Sequence, residues 1–251
     1  MKRDFKFGFT LAEVLLALMI AGVIASLTVP QLVSDTQNRK RAAALGRAVE
    51  KIETGCQTLV QDMSEKSEDG VFSGYYTIHK SLNGSAISSD SDSIAANDFL
   101  VTAKKYFNVV PLSSTQISDY VSSVVGYDGG TASPEVNEIT GSTIVRDQNT
   151  GAYYDFQNGI VSDNADDPVL GVVYVDVNGA TPPNKYGLDV FVFGLTDSCH
   201  MIPAGTNRMN NLYNDIPSES DGCSGVGSSV TNGLSCTSRV VREGYKINYK
   251  K

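Results

Sequence analysis

Apolar residues run almost without interruption from Phe9 to Val29. This stretch of 21 residues holds a single charged side chain, Glu13. At about 1.5 Å per residue, a helix of this length spans roughly 30 Å, which is the thickness of the hydrocarbon layer of a bilayer. We therefore predict a transmembrane helix over residues 9–29.

The apolar pattern becomes periodic in the segment after Pro30, which is rich in helix-forming residues and free of proline. Its apolar residues recur at alternating spacings of four and three, so they lie on one face of a helix. We predict one long helix over residues 9–66, kinked near Pro30, whose rear apolar face packs on the rest of the protein. The apolar face consists of Leu45, Val49, Ile52, Cys56, Leu59 and Met63, and the opposite face, which we expect in water, carries Arg47, Glu50, Lys51, Glu53 and Asp62.

Beyond residue 66 the chain changes to short alternating runs separated by turn signals. Residues 94–107 have helical spacing of apolar side chains, whereas residues 115–125 fit either a helix or a strand. Asn158-Gly159, between two alternating runs, predicts a hairpin turn. The pattern predicts an α+β fold, in which the long N-terminal helix packs at its rear against an antiparallel β-sheet head. The expected strands are residues 142–147, 151–156, 159–163, 169–177, 188–195 and 237–249.

The eight residues before the apolar run carry three basic side chains and one acidic side chain. A basic leader of this kind stays on the cytoplasmic side of a membrane. A secretory signal peptide, cut after a small residue such as Ala25, is the competing interpretation. It leaves Glu13 unexplained, because a carboxylate in hydrocarbon is costly unless a partner neutralises it.

The stretch GFTLAEVLLALMIAGVIASLTVP, residues 8–30, resembles the N-terminal signature of type IV pilins and of the pseudopilins of type II secretion. In that family an inner-membrane prepilin peptidase cuts after a glycine, and the new aromatic N-terminus is methylated. The resemblance implies cleavage after Gly8, methylation of Phe9 and a role in assembly for Glu13 and Pro30. Glu13 would meet the N-terminal ammonium of a neighbouring subunit and thereby set the register of stacked helices.

The resemblance also implies how the chain is organised and used. It divides the sequence into a leader peptide, residues 1–8, a long helix, residues 9–66, and a pilin-like head, residues 67–251. It implies a structural subunit without enzymatic activity, held in the bacterial inner membrane with its head in the periplasm or outside. The subunit would assemble into a type IV pilus or a type II secretion pseudopilus, and its size favours a minor subunit. The implied partners are other pilin or pseudopilin subunits, prepilin peptidase and the inner-membrane assembly platform.

A second hypothesis is that the helix only mounts a binding protein, such as an adhesin or a DNA-uptake receptor. Tyrosine doublets at 75–76 and 153–154 fit a binding surface, although strand alternation turns one of each pair toward a core. Residues 66–251 hold 12 basic and 21 acidic side chains, a net charge of −9. This charge argues against nucleic-acid binding by broad electrostatic attraction. The sequence also contains no catalytic or nucleotide-binding motif, so we do not expect an enzyme.

The segment VDVNGATPPNKYGLDVFVF, residues 175–193, places oxygen donors around a loop bent by glycine and proline. Asp176, Asn178, Asn184 and Asp189 supply the hard ligands that Ca²⁺ prefers. The spacing departs from an EF-hand, because its glycine comes too early and no glutamate closes the loop. A rigid turn, in which the same side chains cap backbone amides, is the interpretation that we favour. A Ca²⁺ site and a capped turn both stay open.

The four cysteines have no C-x-x-C spacing, which favours disulfides in an oxidising compartment over a zinc site. Disulfides would pin the Gly/Ser-rich stretch 197–238, which is too polar to pack well unaided. Among the three arrangements that pair all four cysteines, we expect Cys56 with Cys236 and Cys199 with Cys223. A buried free thiol on the helix is the alternative for Cys56.

Overall fold

The computed structural model describes residues 10–64, 104–127, 144–161, 169–196, 198–212, 223 and 233–247. The chain divides into two compact units, residues 1–40 and residues 41–251. Helix α1, Leu11–Ser64, includes residues of both units, and Pro30 lies inside it. The predicted long N-terminal helix is therefore confirmed over the residues described.

In the first unit, α1 exposes large apolar side chains over residues 11–33. Their exposed fractions run from 43% for Val14 to 79% for Leu11. Among the described residues, α1 is the one helix whose length and composition suit a membrane crossing. The chain thus has a candidate single membrane span near its N-terminus, as the sequence predicts.

The described residues of the second unit form six strands in one antiparallel sheet, and the spatial order of these strands follows the sequence. A sheet with this order allows short connections between neighbouring strands. The strands are β1, Val109–Pro111, β2, Ile144–Asp147, β3, Tyr153–Val161, β4, Val169–Asp176, β5, Val190–Thr196, and β6, Met201–Pro203.

The described part of the same unit also includes the shorter helices α2, Ser114–Ser123, α3, Asn207–Leu212, and α4, Cys236–Arg242. A capping box between Ser113 and Gln116 starts α2, so the segment expected over 115–125 as a helix or a strand is a helix as far as Ser123. Residues 104–107 are helical, and the remainder of the helix predicted over 94–107 lies outside the described residues.

Residues 41–64 of α1 pack on one face of the sheet, and strand alternation sorts the core into two layers. Leu45, Ile52 and Cys56 are fully buried against this face, so the predicted apolar face of the helix is confirmed there. The side chain of Met63 lies outside the described part of the structure. The layer under α1 includes Tyr154, Phe156, Val173, Val175, Phe191 and Phe193, and the layer on the opposite face of the sheet includes Tyr120, Tyr153, Tyr174, Tyr186, Val190 and Val192.

Two predicted elements are wrong. β3 runs through Asn158-Gly159 and stays paired with β4, with a shift in register between Asn158 and Val161. An Asn-Gly pair suits an irregularity within a strand as well as a hairpin turn. Of the strand expected over 237–249, the described residues 237–247 form instead most of α4 and the turn after it. Arg239 and Glu243 form an i,i+4 ion pair at 3.1 Å, and Gly244, at φ +70°, follows the end of the helix, both of which favour a helix over a strand.

Candidate functional site

Thr10 and Glu13 form a capping box at the start of α1. Oε2 of Glu13 accepts hydrogen bonds from the Thr10 backbone N–H and from its hydroxyl, both at 2.8 Å. The Glu13 N–H donates in return to Thr10 Oγ1 at 3.2 Å. These bonds satisfy backbone groups that a helix start leaves unpaired. The sequence analysis missed this role, although the T-x-x-E spacing of Thr10 and Glu13 signals it.

The capping box leaves part of the Glu13 carboxylate available. Within the described chain, all hydrogen bonds of this carboxylate are made by Oε2, so Oε1 can accept a bond from a group outside it. Glu13 is the only acidic side chain among residues 11–33, whose surface is otherwise largely apolar. An ammonium group is the partner that would best offset such a charge in a medium of low dielectric constant. Gly8 and Phe9 lie outside the described residues.

The segment between β4 and β5 is a turn held by two buried aspartates. Oδ1 of Asp176 accepts from the N–H of Asn178 at 3.0 Å, and its Oδ2 accepts from the hydroxyl of Tyr120 at 3.0 Å. Asp189 accepts from the N–H groups of Asn184 and Lys185 at 3.2 and 2.6 Å. The two carboxylates therefore perform the capping that one of the two sequence hypotheses assigns to them.

The two asparagines of this turn make similar contacts. Nδ2 of Asn178 donates to the carbonyl of Thr181, and Nδ2 of Asn184 donates to Oγ of Ser123, both at 2.6 Å. Gly179 has φ +60°, and a Cβ there would collide with the carbonyl oxygen of Gly151. The turn thus needs glycine at this position for both its backbone angle and its space.

Burial dominates the electrostatics of the turn. It raises the pKa of Asp176 well above its ordinary value, and the nearby charge of Asp189 raises it further. Burial also raises the pKa of Asp189, against the opposing effects of the Lys185 N–H and the positive charge of Arg41. The side chains are 1% and 0% exposed. Each carboxylate therefore favours its neutral form more strongly than an aspartate in water does.

The turn meets the requirements of Ca²⁺ only in part. Asn178 Oδ1 is buried and accepts no hydrogen bond, which makes it the oxygen that a cation could use most directly. The oxygens of both carboxylates already accept bonds from N–H and O–H donors. The described residues contain no group of three His, Cys, Asp or Glu side chains placed to hold a metal. The contacts of Asp176, Asn178, Asn184 and Asp189 thus fit a capped turn better than a Ca²⁺ site.

Two disulfides are present, but the pairing predicted from the sequence is wrong. Cys56 is bonded to Cys199, and Cys223 to Cys236. Cys199 lies in the connection between β5 and β6, and this connection reaches α1, where the N–H of Met201 donates to Oε1 of Glu53 at 2.9 Å. Cys236 begins α4, which follows β6 in sequence. Cysteine spacing carries no information about which connection reaches the helix.

Three charged residues of α1 expected in water also contact the head, and one of them is Asp62, whose Oδ2 lies 2.8 Å from Nζ of Lys105. Nζ of Lys51 lies 2.8 Å from Oδ2 of Asp147, a fully buried carboxylate that also accepts from the hydroxyl of Tyr154 at 3.0 Å. Glu53 binds the β5–β6 connection as described above. The helical pattern alone does not reveal these contacts, because the partners belong to segments that are distant in sequence.

The tyrosine doublet at 153–154 forms no exposed surface. Tyr153 is 7% exposed and packs edge-on against Tyr120, with ring centroids 5.1 Å apart. Tyr154 is 1% exposed on the other face of the sheet. The doublet at 75–76 lies outside the described residues. The residues that the structure describes therefore supply no tyrosine pair for a binding surface.

Comparison with known proteins adds no relative: no family model, no curated protein and no solved structure matches this chain. The case for a function therefore depends on the residues and contacts described above.

Proposed function

We propose that this protein is a prepilin-like structural subunit that assembles into a type IV pilus or a type II secretion pseudopilus, as a minor component. The observation that carries the proposal is the surface of α1 over residues 11–33, which is apolar on all sides and interrupted by a single carboxylate. Burial of apolar surface is worth roughly 25 cal/mol per Å². Such a helix segment is stable in lipid or against other helices, but not in water.

In the proposed life cycle the apolar helix segment lies first in lipid and later against the helices of other subunits. Prepilin peptidase removes residues 1–8 after Gly8, and the new N-terminus at Phe9 is methylated. The mature chain waits in the bacterial inner membrane as a single-pass protein with its head in the periplasm. The assembly platform then moves the helix from lipid into a filament of sister subunits, where the head lies outside the membrane.

Glu13 gives this transfer its register. The N-terminal ammonium of a neighbouring subunit pairs with the carboxylate, whose Oε1 is available in the described structure. A buried charge pair adds little net stability compared with an apolar pair, but a buried charge without its partner costs about 3–5 kcal/mol. Wrongly stacked helices are thereby penalised more than correct ones are rewarded.

The alternative function, a pilin-mounted adhesin or DNA-uptake receptor, finds no specific support in the described residues. Tyr153 and Tyr154 are buried, and the acidic balance of residues 66–251 opposes broad attraction to nucleic acid. For the turn around Asp176 and Asp189 we propose a structural role as a rigid connector, with Ca²⁺ binding as the competing hypothesis.

Filament incorporation of a Glu13→Val variant tests the proposal. The valine suits the membrane, so the variant should insert and be processed normally, but it should be lost from sheared filaments. Glu50→Val is the matched control, because Glu50 is exposed on the second part of the same helix. Normal incorporation of Glu13→Val would contradict the register role.

A Thr10→Val variant separates register from helix capping. It removes the hydroxyl that bonds Glu13 but keeps the carboxylate. If Glu13 acts through its charge, Thr10→Val should assemble far better than Glu13→Val. Equal loss in both variants would assign the effect to the helix cap instead.

A further inference from the structure

Arg39 and Lys40 form a basic pair shortly after the apolar segment of α1. Both side chains are exposed, and neither makes an ion pair in the part of the chain that the structure describes. Asp35 is the only acidic residue between positions 14 and 40, so residues 34–40 carry a net charge of +1. Two unpaired cations therefore follow a helix segment that suits a bilayer.

The spacing places this pair at a defined depth. Val33 is the last of the exposed large apolar side chains, and Arg39 follows it by six residues, about 9 Å along a helix. The headgroup layer occupies roughly 5–8 Å on each side of the hydrocarbon. Helical side chains lean toward the N-terminus of the helix, so both long side chains extend back toward the membrane. Their charged ends then lie at the level of the lipid phosphates.

We propose that Arg39 and Lys40 bind the phosphate groups of phospholipids in the leaflet where the apolar segment ends. The guanidinium of Arg39 matches a phosphate through paired N–H donors, and Lys40 adds a compact charge. The pair fixes how far the helix sinks into the bilayer and holds the subunit in store until it is extracted. The inference rests on the membrane-stored state in the proposed function, but it does not depend on filament assembly.

Solid-state NMR on the full chain in vesicles tests this binding. The arginine side chains are labelled with ¹³C at Cζ, and the dephasing of their signal by lipid ³¹P is measured. Two vesicle compositions are used: pure phosphatidylcholine, and a mixture of phosphatidylcholine with phosphatidylglycerol at roughly 3:1. The anionic phosphatidylglycerol gives the second type a negative surface charge. An Arg39 bound to phosphate through bonds of about 2.7–2.9 Å brings Cζ close enough to phosphorus for strong dephasing.

The variant Arg39→Gln/Lys40→Gln should lose the dephased signal that wild type shows. The matched control is Arg47→Gln/Lys104→Gln, which removes one arginine and one lysine from exposed positions in the other unit and should retain it. Dephasing in both vesicle types assigns the site to lipid phosphate in general. Dephasing only with phosphatidylglycerol supports the same site with a preference for anionic lipid.

Carbonate extraction of the same samples separates the two proposals. A chain that resists extraction but shows no phosphate dephasing overturns the lipid site and leaves the proposed function standing. A chain that is extracted overturns both, because no membrane-stored state exists. If Arg39→Gln/Lys40→Gln keeps the full dephased signal of wild type, other arginines make the phosphate contact and the lipid site at Arg39 and Lys40 is overturned.

Discussion

Cys56 on α1 is bonded to Cys199 in the connection between β5 and β6, across 143 residues of sequence. Both residues are buried, and their Cα atoms are 5.6 Å apart. Next to this bond, Glu53 accepts a hydrogen bond from the N–H of Met201, the first residue of β6. The disulfide and the hydrogen bond together hold residues 41–64 of the helix to the far edge of the sheet.

The two disulfides should differ in their effect on stability. A cross-link restricts the unfolded chain more when it closes a longer loop, and the second bond, Cys223–Cys236, closes a loop of only 13 residues. The chain-entropy relation gives upper limits for the contribution of each disulfide to the free energy of unfolding. They are about 5 kcal/mol for the long loop and about 3 kcal/mol for the short one. Urea unfolding of Cys56→Ser/Cys199→Ser and of Cys223→Ser/Cys236→Ser measures both losses. A larger loss of stability in Cys223→Ser/Cys236→Ser would show that native contacts, and not loop length, determine the contribution of each disulfide.

The ion pair of Lys51 and Asp147 should contribute to stability because its acidic partner is fully buried. Burial alone raises the pKa of Asp147, but the hydrogen bond and charge of Lys51 and the N–H of Asn149 bring it below its ordinary value. Lys51→Met leaves the carboxylate without its cation. The loss in free energy of unfolding should be about 1–3 kcal/mol, less than for a completely buried pair, because the Lys51 side chain is 24% exposed.

The pH dependence distinguishes the ion pair from simple packing. A carboxylate whose pKa is lowered in the folded state stabilises that state at pH values above the ordinary pKa of aspartate. This stabilisation disappears as the pH falls through the lowered pKa. The destabilisation by Lys51→Met should therefore be largest near neutral pH and shrink toward pH 3. Lys104→Met, at an exposed position, is the control and should have little effect. A loss that is independent of pH would indicate packing instead.

How much of this fold the sequence predicts depends on whether a pattern is local. The spacing of Leu45, Val49 and Ile52 fixes one face of a helix, and these side chains are buried as predicted. Short apolar runs rich in Val, Phe and Tyr likewise predict β4 and β5, because the composition of a run and the turn signals beside it are local features. Local sequence patterns thus predict both α1 and the central strands.

Contacts between distant segments could not be predicted in the same way. The pairing of Cys56 with Cys199 depends on the path of the β5–β6 connection, and the partner of Lys51 depends on where β2 ends. Val240 and Val241 resemble strand residues, yet they belong to α4, where Val240 fills the core. Tertiary burial overrides the β propensity of valine at this position.

Asp176 should make the protein less stable as the pH rises. Its pKa is raised in the folded state by burial, so between the ordinary aspartate value and the raised value the folded chain binds more protons than the unfolded chain. Stability therefore falls with increasing pH across this window. Asp176→Asn removes the dependence while keeping an acceptor for the Asn178 N–H and a partner for the Tyr120 hydroxyl.

Thermal unfolding between pH 4 and pH 8 measures this effect. The unfolding temperature of Asp176→Asn, relative to that of wild type, should rise steadily as the pH rises. Asp119→Asn, on the exposed side of α2, should follow the wild-type curve throughout. If Asp176→Asn instead becomes relatively worse at pH 8, the carboxylate is charged and stabilising in the native protein.

Calcium should have little effect on the unfolding temperature if the turn is capped by its own side chains. A bound ion at a hundredfold excess over its Kd adds about 2.7 kcal/mol, which shifts the unfolding temperature of a chain of this size by several degrees. The acceptor oxygens of Asp176 and Asp189 are already used by N–H and O–H donors, so we expect a shift below about 1 °C. Unfolding in CaCl₂, MgCl₂ and EGTA at pH 7 checks this. A rise specific to Ca²⁺, absent in Asn178→Ala, would establish the cation site.

Replacement of Gly8 by valine should block processing and leave the precursor in the membrane, because the proposed peptidase cut follows this glycine. Gly22→Val is the matched control: it makes the same change within the apolar segment, at a position where an added Cβ meets no atom within 4 Å. Intact mass spectrometry of membrane extracts measures the outcome. The control should show the mass of a chain that begins at methylated Phe9, whereas Gly8→Val should keep residues 1–8. A mature mass in Gly8→Val would remove the assigned cut site, and a chain that begins beyond the apolar segment would remove the helix on which assembly depends.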